Sequence, residues 1–277
     1  PEDLVVVTKI FEHFSPDIFF DWKQVLELTK LKPELFAENQ IIKNNEGSTI
    51  GTGQKLYKRA KKINYISYQE MLEMASVGSK VLQAKAVEYA NNLKIKLHVK
   101  STKKNSEKGT WVMDEKLIPI KEKNVVTGIT HDLKQSKITI VGIEDKPGVA
   151  SKIFQPIGFA GIVVDMIVQN ISTDGKTDLT FTIPKEDLNK TVKILEKNKS
   201  KLAYRKLIKD EQIALISIIG AGMKTHTGIA TRMFKSLSKS KINISMITTS
   251  EIKISCVINT SKCKSAIKSL HREFNLD

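Results

Sequence analysis

The chain has 277 residues, 40% of them apolar, and carries a formal charge of +15, enough for a sizeable buried core and about two domains. Such a charge raises nucleic acid or an anionic surface as a partner, yet only Arg59, Arg205, Arg232 and Arg272 are arginines and the other 41 of the 45 cations are Lys. Lys lacks the planar fork that grips phosphates and base edges bidentately, so the composition describes a Lys-rich solvated surface, with no nucleic-acid partner expected.

Residues 1–56 are the least legible. Leu4 to Val7 suits a short strand, and Asp21 to Leu28 a helix stopped by Lys32-Pro33. Gly47, Gly51 and Gly53 with Lys55 resemble a phosphate loop only loosely: the spacing departs from G-x-x-x-x-G-K-[ST] and no Ser or Thr follows the Lys, so an ordinary flexible loop is expected. From Ile63 the pattern becomes orderly. Ser67-Tyr68-Gln69-Glu70 reads as a capping box opening a helix with Met71, Leu72 and Ala75 on its apolar face. Gly78 interrupts it, and Val81, Leu82, Ala86, Val87 and Ala90 resume helical spacing. Ile95, Leu97 and Val99 alternate with Lys and His98, the pattern of a half-exposed strand; His98 reads as a strand residue rather than a ligand.

The charged segment Lys116 to Asn124 marks a domain boundary. Beyond it come a strand at Val125 to Ile129, a strand at Ile138 to Ile143, the turn Glu144 to Gly148, and a helix carrying Ala150, Ile153, Phe154 and Ile157. A buried strand is expected over Ile162 to Gln169, then an Asp174-Gly175 hairpin turn, a strand with Leu179, Phe181 and Ile183, and a helix with Leu188, Val192, Ile194 and Leu195. The order is β-α-β-β-α-β. It recurs as strands over Ile213 to Ile219, Ile242 to Thr248 and Ile252 to Ile258, with helices over Thr227 to Leu237 and Ser261 to Phe274.

The recurrence is also visible residue by residue. Gly148-Val149-Ala150-Ser151-Lys152-Ile153-Phe154 matches Gly228-Ile229-Ala230-Thr231-Arg232-Met233-Phe234, and the offset of eighty persists at Met166/Met246 and Ile167/Ile247. Two ferredoxin-like βαββαβ units in tandem, an α+β architecture, are expected. In the first unit Asp145-Lys146-Pro147-Gly148-Val149-Ala150 joins strand to helix. Free N–H groups at the helix start attract a carboxylate and Asp145 suits an ammonium group, so the turn fits a free amino acid. Gln169, Asn170 and Ser172 would add polar contacts. A plain Pro-Gly turn with Asp145 as helix cap explains the same residues.

Cys256 and Cys263 form no C-x-x-C pattern, so neither a metal site nor a disulfide framework is expected; Cys256 reads as strand core and Cys263 as helix surface. His226 reads as a hydrogen-bonded loop histidine or a contributor to effector placement. The longest apolar run, Ile213 to Met223, is too short to span a bilayer and no signal peptide is visible, so a cytoplasmic protein with no membrane partner is expected. Residue 1 is Pro, which suggests a fragment or processed product.

Residues 125–277 resemble the regulatory region of aspartate kinases, a tandem of ACT domains. The resemblance is carried by Val126-Thr127-Gly128-Ile129, Asp145 to Ala150, Val164 to Asn170, Gly222-Met223-Lys224-Thr225-His226 and Ile247 to Ser255. Ile66 to Ser76 and Gly78 to Leu82 resemble the end of the kinase domain. The resemblance divides the chain into an unassigned segment 1–56, a C-terminal remnant of the α/β catalytic domain over 57–120, and a regulatory region over 121–277. Its first copy would span about 134–208 and its second about 209–277 plus the strand 125–131. Feedback sensing of lysine, threonine or both at ACT–ACT interfaces is implied, as is a homodimer or hetero-oligomer built through those domains. The implied effector positions are Asp145, Gly148, Val149, Ala150, Gln169, Asn170, Ser172, Ser250 and Glu251. The parent reaction is ATP-dependent phosphorylation of L-aspartate with Mg2+, the first step towards lysine, threonine and methionine. The alternative is a non-catalytic regulatory subunit that associates with a full-length kinase.

The departures bear on activity. The family's Lys-Phe-Gly-Gly-Thr-Ser start and Gly-Gly-Ser-Asp segment have no counterpart, since the sequence contains no Gly-Gly. Gly53 to Arg59 replaces the Tyr-Thr-x-Asp-Pro-Arg segment, and Gln83-Ala84-Lys85 stands where His-Pro-Arg is common. Phosphoryl transfer depends on positioning and neutralising phosphates, so no catalytic or metal-binding residue is assigned and activity of this chain alone is not expected.

Overall fold

The computed structural model describes residues 57, 59–79, 81–100, 108–171 and 175–277. The expected strand at Leu4 to Val7, the helix at Asp21 to Leu28, the Gly47 to Lys55 loop, Ser172 and most of the Asp174 turn lie outside these residues.

The first part is a small three-stranded sheet with two helices. β1 (Tyr65–Ser67) pairs parallel with β3 (Thr110–Met113), which pairs antiparallel with β2 (Leu97–Val99). α1 (Tyr68–Ser76) opens at the expected capping box: Ser67 accepts from the Glu70 backbone N–H while the Glu70 carboxylate accepts from the Ser67 N–H. It stops two residues short of Gly78, whose φ of +106° no helix continues. α2 (Ala84–Asn92) follows. His98, on the exposed side of β2, stacks on Trp111 at 3.9 Å between ring centres.

The first repeated unit comprises β5 (Gln135–Glu144), α3 (Val149–Phe159), β6 (Ile167–Ile171), β7 (Lys176–Pro184), α4 (Leu188–Lys197), a short α5 (Lys199–Leu202) and β8 (Lys206–Asp210). Its sheet order is β6-β7-β5-β8, antiparallel throughout. Ile138, Ile140, Leu179, Phe181 and Ile183 meet Ile153, Ile157, Leu188 and Leu195 in one core beneath the helices. The expected buried strand at Ile162 is shorter and more open than its apolar sequence implies. The strand proper starts at Ile167, after first hydrogen bonds to Thr182 from Asp165 and Met166, and Val163 and Ile167 are exposed, because β6 is an edge strand with a neighbour on one side alone.

The second unit has β9 (Ile213–Ile219), α6 (Ile229–Lys239), β10 (Met246–Thr249), β11 (Lys253–Asn259) and α7 (Cys263–Glu273). Its fourth strand, β4 (Gly128–Asp132), precedes the first unit in the chain and pairs antiparallel with β9, giving the order β10-β11-β9-β4. The first unit is therefore inserted between two neighbouring strands of the second. All of β9 is buried. Ala214, Ile216 and Ile218 face α6 and α7, whereas Ile213, Leu215 and Ile219 pack with Met71, Met74, Val87 and Met166. One core thus continues from the small three-stranded sheet and its helices into the second unit. A correction concerns Cys263: expected on a helix surface, it is buried with Cys256 in the core, because the first turn of α7 faces the sheet.

The duplication holds in three dimensions. α3 and α6 each have eleven residues and each starts after a glycine in the left-handed region, Gly148 at φ +87° and Gly228 at +79°. Buried and exposed positions alternate identically over 161–170 and 241–250.

Candidate functional site

The turn after β5 is held by its neighbours rather than by a helix cap. The Asp145 N–H donates to Gly175 O at 2.9 Å. Glu144 and Ile143 pair with Lys176 and Thr177 on one side of β7, while Asn170 and Ile171 pair with Asp178 and Thr177 on the other. Thr177 Oγ1 donates to Asn170 O. Asp145 and Asn170 therefore reach the same end of the sheet, with one strand between them. The register of β5 shifts between Ile140 and Ile143, and the Gly142 N–H freed there donates to Asp178 Oδ1 at 2.8 Å; a bulge of this kind re-aims the strand end that carries the turn.

Asp145 does not cap α3, correcting one reading of that residue. The N-cap is Gly148, with no side-chain cap bond. Asp145, Gly148 and Ala150 are exposed and Val149 is half-buried against the core. The helix start thus presents backbone N–H groups beside an unburied carboxylate, the pairing that suits a zwitterion. Gln169 pairs with Leu179, so it shares the helix-bearing face, while Asn170 pairs with Asp178 on the open face.

Ser250 and Glu251 lie elsewhere in the chain. The offset of eighty carries Asn170 onto Ser250, which occupies the same place after β10; its N–H closes the hairpin onto Lys253 O at 2.7 Å. Glu251 pairs with Lys224 at 3.5 Å, and Lys224 also reaches Gln69 at 3.3 Å. These side chains edge a 510 Å³ groove against α1. No hydrogen bond or ion pair joins this pair to the Asp145 turn among the described residues. His226 Nδ1 lies 2.8 Å from Gly222 O, a contact within its own loop.

Glu70 does far more than the capping motif announces. Its carboxylate accepts from Ser67 N–H and Ser67 Oγ–H, then from Thr127 Oγ1 at 2.6 Å and the Ala221 N–H at 2.9 Å. Two of these donors belong to α1's own cap and two flank β4 and β9 of the second unit. Gly220 fits there because a Cβ would collide with the Val125 carbonyl. Nearby, Lys253 of β11 pairs with Glu73 of α1 at 2.8 Å, both largely buried. Neither cross-link has a local sequence signal; only the spacing Ser67-x-x-Glu70 hints at a role for Glu70.

The ACT domain profile matches residues 138–198 and 216–274, the two repeated units. The aspartate kinase of Stutzerimonas stutzeri is 42% identical over 240 residues, covering 87% of this chain and 58% of the kinase. The structure of aspartokinase alpha and beta subunits is 40% identical with a TM-score of 0.52, and the match covers 54% of this chain and 99% of the solved chain. The chain belongs to the aspartate kinase family. A regulatory subunit of aspartate kinase from Thermus thermophilus, ligand-free, is 32% identical at TM-score 0.52 and is likewise covered over 99% of its length. This aspartate kinase family chain thus carries the family's tandem ACT regulatory region, and it spans somewhat over half the length of the curated kinases it matches.

The family implies ATP and Mg2+ for the parent enzyme; among the described residues no three His, Cys, Asp or Glu side chains gather as a metal site. No phosphoryl-transfer step is derived from these residues. No helix among the described residues is long and apolar enough to cross a membrane.

Proposed function

We propose that this chain is the amino-acid-sensing part of an aspartate kinase, binding lysine, threonine or both at interfaces between ACT domains of associated chains. The convergence of the Asp145 turn, the uncapped start of α3 and Asn170 at one sheet end carries the reading. Asp145 holds the effector ammonium, the N–H groups following Gly148 hold its carboxylate, and Gln169, Asn170 and Ser172 select the side chain. Ser250 and Glu251 of an associated chain complete the site, since within one chain they lie beside α1. Apolar Val163, Ile167 and Ile247, exposed on and beside the edge strands β6 and β10, fit such an association.

The parent reaction is ATP-dependent phosphorylation of L-aspartate, which the sensed amino acid regulates through the subunit arrangement it favours. A second reading, a non-catalytic subunit associating with a full-length kinase, is favoured by the two subunit structures that the chain covers almost end to end. Titration calorimetry of the purified chain with L-lysine and L-threonine tests the sensing. Saturable heat with at least one, lost in Asp145→Ala, is expected; heat with neither, or heat that Asp145→Ala leaves intact, would overturn it. Mixing with a full-length kinase then separates the two readings by whether a stable hetero-oligomer forms.

A further inference from the structure

The offset of eighty that relates the two units carries Glu144 and Asp145 onto Lys224 and Thr225, and Ile171 onto Glu251. The charges at this end of the sheet are therefore exchanged. The first unit has an acidic turn and an apolar strand end, whereas the second has a basic turn and an acidic strand end. In the second unit the two meet: the Lys224 ammonium lies 3.5 Å from the Glu251 carboxylate and 3.3 Å from Gln69 Oε1 of α1.

Glu251 thus already holds an ammonium group on a long aliphatic stem, one supplied by its own chain. The two side chains are 35% and 82% exposed, and ion pairs so open are weak enough for a competing cation to replace one member. A second ammonium at the same carboxylate would stand beside a like charge, which disfavours holding both. Lys224 also has Gln69 to fall back on, so letting go of Glu251 does not strand its charge.

We propose that Lys224 is a built-in competitor for the effector: it occupies Glu251 until the side-chain ammonium of a bound amino acid displaces it. This rests on the reading in which Glu251 of an associated chain completes the site at the Asp145 turn, and it sharpens that reading. The amino acid that Glu251 selects is one with a cation on a long stem, L-lysine. L-Threonine has only its α-ammonium, which Asp145 claims. Once displaced, Lys224 is left to Gln69, so the exchange is passed to α1.

Calorimetry of the full chain with L-lysine and with L-norleucine, which has the stem without the ammonium, tests the competition. Both members of the pair reach solvent, so neither substitution opens the core. Lys224→Met should tighten L-lysine about two- to fivefold, the worth of an exposed ion pair, and bring no gain for L-norleucine. Glu251→Gln should weaken L-lysine about tenfold, and in that background Lys224→Met should bring no gain. Equal or weaker L-lysine binding in Lys224→Met overturns the proposal. So does a gain that persists beside Glu251→Gln, which would assign it to net charge alone. Either result leaves the sensing itself standing, since that is judged by Asp145→Ala. Heat with neither the unsubstituted chain nor Lys224→Met overturns both.

Discussion

The Glu70 carboxylate accepts the backbone N–H of Ala221 at 2.9 Å across 151 residues of chain. Glu70 is 4% exposed, and all of its hydrogen-bonding partners are donors without a full charge. Such a carboxylate is tolerated in a core only because several N–H and O–H groups point at it. Glu70→Ala would leave those groups buried and unpaired, and a loss of about 3 kcal/mol or more in urea unfolding is expected. Glu70→Gln should cost less than Glu70→Ala, since its amide keeps one acceptor oxygen. A loss of only about 1 kcal/mol in Glu70→Ala, the value of a helix cap alone, would mean that Thr127 and Ala221 gain nothing from the contact.

Gly148 and Gly228 start equivalent helices at similar positive φ, and at both the space a Cβ would enter is open, with nothing within 4 Å. Substituting Ala at either meets the same backbone penalty and no clash. Each variant should lose about 1 kcal/mol, with the two losses alike. Unequal losses would show that the two turns are strained differently despite their geometry.

Cys256 is fully buried and its thiol is pushed up to about 12 by burial; burial raises Cys263 as well. Only the thiolate reacts readily. An aromatic disulfide reagent at mildly alkaline pH should label neither in the folded chain and both in urea. Rapid labelling of native Cys263 would place α7's first turn at the surface after all.

Burial lowers the pKa of His131 and of His271, in each case against a smaller raising effect of Asp132 or of Leu276 and Asp277. A folded-state pKa below the unfolded value of about 6.5 means that the unfolded chain binds more protons. This stability is fully present above that pH and is lost as the pH falls through it. The urea midpoint should therefore drop between about pH 7.5 and about pH 5.5, and the drop should shrink in His271→Gln. An unchanged drop would assign the effect to other groups.

Phe181 is fully buried and meets Phe154 edge-on at 5.3 Å in the first unit's core. Phe181→Ala should cost about 3–5 kcal/mol by chemical denaturation. A loss near 1 kcal/mol would indicate that the sheet and helices close over the cavity.

Much of the fold was legible because its elements are short and strongly periodic. Leu179, Phe181 and Ile183 alternate on β7 as a one-sided strand must, and Ser67 and Glu70 announced α1 by their spacing. Edges were less legible. The run from Ile162 reads as buried strand by composition, yet which strand lies outermost is a property of sheet order. Within the candidate site, Asp145, Gly148 and Asn170 belong to one turn and the strand two elements on, so their meeting follows from the βαββ order. Ser250 and Glu251 could not be placed in that way, because they occupy the equivalent end of the other unit.

By itself the sequence determined the duplicated plan of this protein: the offset of eighty, the alternation of each strand and the glycine before each first helix are local patterns, and local backbone preferences suffice to express them. The tertiary structure alone decided what those elements touch. It put Cys263 inward and gave Glu70 the donors of Thr127 and Ala221. Periodicity specifies which face of an element is buried, whereas partners 151 residues apart in sequence are brought together by chain path and packing.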